Sequence, residues 1–196
     1  VKGLAEKLQA GVEERWQLDL TVAWAEMPVG VRVEIPRPET GGIDRLLMSG
    51  EAYVRSGAAA IVVGVGTAIT VDVVDQDGTY VGGTISPGMR TSTWALASRA
   101  SLLPEVDIDE PEGPDIPSST TDSIRSGVLV GTAGSVDRLV SELAGRANLE
   151  SHSVILSGGD GARLSPYLET QHTLAEDLVI WGLAHTYERY LESGGH

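Results

Sequence analysis

Gly64-Val65-Gly66-Thr67-Ala68 follows an apolar run and precedes an alternating pair of segments. Glycines at that spacing let main-chain amides approach a phosphate, and the Thr67 hydroxyl adds a donor. A glycine-rich β-turn inside a core is the competing reading, and a short glycine motif taken alone favours it. Gly82-Gly83 with Ser86-Pro87-Gly88 falls where a strand passes into a helix. A helix N-terminus flanked by glycines suits an anion, although the same residues also punctuate ordinary strand ends and helix starts. Gly41-Gly42-Ile43-Asp44-Arg45 sets a carboxylate beside a guanidinium. The carboxylate can accept a hydroxyl proton while the guanidinium grips a carboxylate or phosphate. A helix-start Asp favoured by the helix dipole, next to a solvated Arg, is the commoner origin of such a pair. Ser157-Gly158-Gly159 either lets an adenine or ribose lie on the backbone or forms a tight turn. His152, His172, His185 and His196 show no metal-ligand spacing. Asp72, Asp75 and Asp77 read as exposed hairpin charges rather than as a cation site. No metal-binding residue is therefore assigned.

These residues need elements to hold them. Residues 3–15 have the spacing of an amphipathic helix, with Leu4, Leu8 and Val12 on one face. Leu18 to Ala25 reads as a strand, and Val31 to Ile35 as a short extended piece stopped by Pro36 and Pro38. A helix is expected from Asp44 to Arg55, and a buried strand over residues 59–64. Thr70–Val74 and Thr79–Ile85 alternate around Asp77-Gly78, which signals a hairpin. Pro87 and Gly88 precede a helix to about Ala100. Residues 104–119 hold four Pro and six Asp or Glu and read as an exposed acidic loop. Thr120 or Thr121 is placed to cap a long helix to about Arg146, whose Gly127, Gly131, Ala133 and Gly134 permit close helix packing. Val154–Leu156 is a strand, and a last helix starts at Asp177 with Ile180, Leu183, Tyr187 and Leu191 inward. A break near residue 57 separates two expected parts, 1–57 and 58–196.

Composition narrows the chemistry. The chain has 196 residues, is 41% hydrophobic and contains no Phe, so its core must be built from Val, Leu, Ile and Ala. It has no Cys, which removes disulfides, thiolate metal sites and Cys nucleophiles. The net charge of −14 repels nucleic acid, and any nucleotide site must overcome that field locally. Lys occurs only at Lys2 and Lys7, so no P-loop Lys is available. The longest uncharged run is too short and too polar for a membrane span, and no signal peptide is visible.

Taken in order, GIDR at 42–45, GTAIT at 66–70, GGTISPG at 82–88, LLP at 102–104, Thr120 with Gly127, and SGG at 157–159 resemble the type III pantothenate kinases. The resemblance covers about residues 20–185. It implies an α/β, actin-like (ribonuclease H-like) kinase fold, a mixed sheet with helices, here with an incomplete N-terminal lobe. It implies cytoplasmic, ATP-dependent phosphorylation of the primary hydroxyl of pantothenate, the first step of coenzyme A synthesis, by a homodimer using Mg²⁺ and a monovalent cation (K⁺ or NH₄⁺). On that resemblance Asp44 accepts the proton. Gly42, Ile43, Arg45 and Thr120 bind pantothenate, and Gly66, Thr67, Gly158 and Gly159 bind the nucleotide. The glycine turns and the Asp44–Arg45 pair are then expected to face one cleft.

Three positions depart from the family pattern. The opening Asp-x-Gly-Asn-Thr phosphate motif is absent from this sequence. Gly64 stands where the family has the Asp that holds the monovalent cation, and Ile35 where it has a substrate-binding Tyr. These departures motivate an alternative, a non-catalytic homologue that binds a metabolite or acts in regulation. A third expectation is a fragment with an open, aggregation-prone sheet edge.

Overall fold

The computed structural model describes residues 2–18, 20–23, 27–37, 41–111, 113 and 116–194. Its centre is the apolar run Ala60–Val65 (β2), buried at every position. A strand buried on both faces needs neighbours on both edges, and β2 has them. It runs antiparallel to β3 (Ala68–Val74) and parallel to β5 (Ser153–Ser157). Strand β3 pairs antiparallel with β4 (Thr79–Pro87), and β5 pairs in parallel with β6 (Thr173–Leu174). The two-residue β1 (Arg32–Val33) lies parallel on the outer edge of β4, giving the order β1-β4-β3-β2-β5-β6. Three antiparallel strands flanked by parallel ones form the mixed sheet, with helices, that was expected. The β3–β4 turn is closed by Asp75, whose Oδ1 accepts from the amides of Asp77 and Thr79, each at 2.9 Å.

Alternation along the strands assigns the two faces. Ile61, Val63, Val65, Ile69, Val71 and Val73 lie in one core cluster with Leu129, Ala133, Val136 and Val140 of the long helix α4 (Thr120–Arg146). Ala60 and Val62 pack on the opposite face with Met48 and Ala52 of α2 (Ile43–Ser56) and with Leu178 of α6 (Leu178–Glu192). The remaining helices are α1 (Lys2–Trp16), α3 (Met89–Arg99) and the short α5 (Gly161–Leu164). Among the described residues no helix is long and apolar enough to cross a membrane.

Several expectations change. Residues 18 and 20–23 form no strand, and 24–25 lie outside the described residues. Leu8 of α1 is exposed, while the Leu4 side chain lies outside the description. Ser119, not Thr120 or Thr121, caps α4, its hydroxyl accepting from the Asp122 amide. The acidic loop is anchored by buried Val106 and Ile108.

The largest correction concerns α6. Ile180, Leu183, Tyr187 and Leu191 are exposed, and the inward face is Leu178, Gly182 and Thr186. A side chain at Gly182 would collide with the carbonyl oxygen of Leu47, so α6 approaches α2 more closely than bulky residues allow. Across that contact Glu51 is buried and accepts from Arg55 Nε at 2.6 Å, and its Oε2 meets His185 Nδ1 at 2.7 Å. Burial alone would raise the Glu51 carboxyl, but the bonds from His185 and Arg55 outweigh it and hold the group below its ordinary 4.5. A lowered acid stabilises the fold above its unfolded value and loses that contribution as pH falls through the folded one. The melting temperature is therefore expected to fall as pH drops below about 4.5. Glu51→Gln should flatten that part of a pH series of thermal melts.

Candidate active site

The β2–β3 turn is held from two sides. The Gly66 amide donates to the Ala68 carbonyl at 3.1 Å, and the Gly88 amide donates to the Thr67 carbonyl at 2.9 Å. Thr91 Oγ1, in the first turn of α3, donates to the same Thr67 carbonyl at 2.6 Å. From the other side, the end of β5 folds back so that the Asp160 amide donates to the Val65 carbonyl at 3.1 Å. That return needs a left-handed residue lying on the β2 backbone. Gly158 has φ 101°, and a Cβ there would collide with the Val65 carbonyl oxygen.

Between these turns opens a cavity of about 580 Å³ lined by Gly66, Thr67, Arg90, Thr91, Trp94, Gly159 and Asp160. That volume suits a small ligand. Thr67 and Gly159 are exposed in it, and nothing lies within 4 Å of where a Gly159 side chain would start. The Gly66, Gly88, Asp160 and Gly161 amides already bond to protein carbonyls. The Thr67 hydroxyl and the open Gly159 backbone are thus the parts of the turns best placed for a ligand.

The 42–45 turn sits elsewhere. Gly42 is the N-cap of α2, and its carbonyl accepts from the amides of Arg45 and Leu46. Asp44 is exposed in the first helical turn, where the dipole favours its charge. Arg45 turns inward. Its Nε donates to both oxygens of Asp72, at 3.0 and 3.1 Å, and its Nη2 donates to Oδ1 at 2.5 Å. Asp72 is fully buried, which corrects its reading as an exposed hairpin charge. It also accepts from the Tyr80 hydroxyl at 2.8 Å. Burial pushes the Asp72 carboxyl upward, and Arg45 and Tyr80 sustain its ionised form. Desolvation, then the Asp72 charge and hydrogen bond, push the Tyr80 hydroxyl up as well, so it stays a donor. Ile35 and Ile43 pack on the apolar cluster of Val29, Leu46, Leu47 and Tyr80.

Asp72 lies five residues beyond Thr67, about 16 Å along the strand at about 3.3 Å per residue. The structure thus brings Gly66, Thr67 and Gly159 to one cavity, with Gly158 shaping its wall. It places Gly42, Ile43, Asp44 and Arg45 at a second centre on the same sheet, so the expectation that the glycine turns and the Asp44–Arg45 pair face one cleft is corrected: none of these four residues lines the cavity at Thr67. Thr120 is exposed at the start of α4 and lines a third depression, with Leu96, Leu103, Ser123 and Gly127.

Of the cations that the resemblance implies, the monovalent one lacks its carboxylate here. Gly64 offers no carboxylate, and a Cβ there would lie 2.7 Å from Thr70 Oγ1 and 3.1 Å from the Met48 methyl. Among the described residues no group of three or more His, Asp or Glu is arranged to hold a metal. Where Asp107, Asp109 and Asp160 converge, Arg90 occupies the centre, at 3.8, 2.8 and 3.1 Å.

Sequence reasoning missed Asp72, Arg90, Trp94 and Asp160. Asp72 carried a signal, since an acid between Val71 and Val73 in a strand buried on both faces requires a partner. The other three had none, because their meeting depends on how α3 and the end of β5 close around the β2–β3 turn.

Comparison with known proteins agrees with this architecture. The sequence profile described as type III pantothenate kinase matches residues 1–142. A type III pantothenate kinase of Rubrobacter xylanophilus is 40% identical over 166 residues, 83% of this chain and 63% of that protein. One of Geobacter sulfurreducens is 33% identical over 190 residues, 97% of this chain and 72% of that protein. The chain thus spans less than two thirds of the Rubrobacter relative's length. The crystal structure of a protein described as a Baf family transcriptional activator from Campylobacter jejuni superposes with a TM-score of 0.59 at 21% identity, covering 95% of this chain and 80% of that one, and shares the fold. The chain belongs to the type III pantothenate kinase family.

Proposed function

We propose that the protein transfers the γ-phosphoryl group of ATP to the primary hydroxyl of pantothenate, giving ADP and phosphopantothenate, the opening step of coenzyme A synthesis. The observation that carries this reading is the cavity shared by the Gly66–Thr67 and Gly159 turns, in a chain of this family that keeps the 42–45 motif. Thr67 seats the phosphates through its hydroxyl while Gly66 shapes that turn, and Gly158 and Gly159 let the nucleoside lie on the end of β5. Asp44 orients the acceptor hydroxyl and takes its proton. Arg45, through its hold on Asp72, fixes the helix turn that carries Asp44, and Gly42 and Ile43 shape the floor for the acceptor. Phosphoryl transfer asks mainly for positioning and charge neutralisation, so a well-positioned carboxylate suffices as acceptor base. No step is assigned to Mg²⁺ or to a monovalent cation. On this proposal, a division near residue 57 separates the acceptor-binding part from the nucleotide-binding part. The setting is cytoplasmic, in keeping with a cysteine-free chain that uses ATP.

The test is direct: incubate the purified protein with ATP and pantothenate and follow the phosphorus spectrum. A phosphomonoester signal that needs both substrates supports the proposal. ATP that stays intact, or is hydrolysed to inorganic phosphate whether or not pantothenate is present, counts against it.

The same proposal includes a homodimer. Gly127, Gly131 and Gly134 on α4 face open space, beside exposed Leu96, and Val130 on the same helix is exposed too. A second copy would cover this face and the depression at Thr120. Light scattering should return about 41 kDa, twice the chain's 20.6 kDa. A mass near 20.6 kDa at micromolar concentration contradicts the dimer.

A further inference from the structure

We propose that Trp94 and Asp160 recognise the nucleoside half of the nucleotide, the Trp94 indole stacking on the base and the Asp160 carboxylate accepting from the ribose hydroxyls. This rests on the nucleotide reading of the cavity and deepens it, because it fixes which way round the ligand lies.

Charge sets the orientation. Arg90 is the cation lining the cavity, but its guanidinium is engaged by Asp107, Asp109 and Asp160. Three carboxylates around one guanidinium leave this end of the cavity net negative. A triphosphate is repelled there and favoured at the Thr67 end, whereas an uncharged, hydroxyl-rich sugar meets acceptors. Arg90 is thus a positioning residue that holds Asp160 against the cavity wall, rather than a phosphate clamp.

The Asp160 carboxylate is suited to ribose. Its side chain is 12% exposed, and both Arg90 bonds fall on Oδ1, from Nε at 3.2 Å and Nη2 at 3.1 Å. Oδ2 is left by both Arg90 bonds and can take a hydroxyl. An acid on the ribose hydroxyls is a recurrent way of reading a nucleoside. Its backbone is fixed by the bond to Val65, so the oxygen is held in place before ligand arrives.

Trp94 supplies the stacking surface. It stands one helical turn after Arg90, on the same side of α3, and lines the cavity together with Gly159. It is 59% exposed, so a flat ring laid on it removes apolar area from water on both partners. Stacking of this kind tolerates any base, because every base has a π-face. The protein should therefore discriminate weakly among ATP, GTP and CTP and strongly between a nucleoside triphosphate and bare tripolyphosphate.

Calorimetric titration of the whole purified chain with ATP, 2′,3′-dideoxy-ATP and inorganic tripolyphosphate tests this. Trp94→Ala should weaken ATP roughly 5- to 100-fold and leave tripolyphosphate unchanged, while Trp94→Phe keeps most of the affinity. Asp160→Asn should abolish the preference for ATP over the dideoxy analogue. The inference is overturned if either variant weakens tripolyphosphate as much as ATP, if both leave ATP untouched, or if the unaltered protein binds tripolyphosphate as tightly as ATP. If the unaltered protein binds neither ATP nor tripolyphosphate, the nucleotide reading itself fails and takes this inference with it.

Discussion

Arg45→Met is expected to lower the free energy of unfolding by about 3–5 kcal/mol at neutral pH, the usual cost of removing one partner from a buried ion pair. Asp72 is fully buried and takes three hydrogen bonds from Arg45. After the substitution its charge keeps only the Tyr80 hydroxyl, which cannot replace a guanidinium in a medium that solvates ions poorly. The dependence on pH gives the origin away. Burial already raises the Asp72 carboxyl, and losing Arg45 raises it further. An acid whose folded value lies above its unfolded one favours the fold at low pH and loses that contribution as pH rises through the folded value. The variant should therefore be closest to the parent near pH 5 and furthest from it near pH 8. Adding Asp72→Asn should recover part of the loss, because an amide carries no charge to strand. Urea unfolding at the two pH values measures all of this. A change below about 1 kcal/mol at both would place the pair among weak surface bridges and contradict its burial.

Asp44→Asn is expected to reduce turnover by a factor of about 10² to 10⁴, the range over which a positioned acid–base group contributes. The fold should barely notice. Asp44 is exposed, and what it gives the helix is a first-turn charge, worth about 0.3–1 kcal/mol. Nucleotide affinity should stay within a factor of about two, since the residue lies outside the cavity at Thr67 and Gly159. Loss of turnover with intact melting and intact ATP binding separates acceptor chemistry from architecture. Equal loss of ATP binding would mean that Asp44 acts on the nucleotide, and the assignment of roles would have to change.

How much of this was legible in the residues depends on what each feature needed. The Ala60–Val65 run, the Asp-Gly turn and the long α4 rest on local rules of burial, turn chemistry and helix propensity, and they were readable, although the cap of α4 is Ser119 rather than Thr120 or Thr121. Gly158 was readable in the same way, because a residue without a side chain advertises a close backbone approach, whereas Gly66 and Gly159 border open space. Helix α6 misled because bulk was taken for the core. Ile180, Leu183, Tyr187 and Leu191 look inward by spacing, yet the contact with α2 is made by Leu178 and Gly182. The two-residue β6 and the four-residue α5 exist because β5 offers them an edge and a turn, not through any pattern of their own. The placement of Arg45 on Asp72, far along β3 from Thr67, also had to come from the packing of α2 across the sheet.

The central claim is that a nucleotide sits on the meeting point of the β2–β3 turn and the end of β5. Amide hydrogen exchange of the whole protein with and without ATP addresses it most directly. The account predicts that ATP slows exchange in peptides covering residues 64–68 and 157–161, and leaves residues 120–146 of α4 unchanged. Exchange that ATP leaves untouched in both turns, or slows only elsewhere, would contradict it.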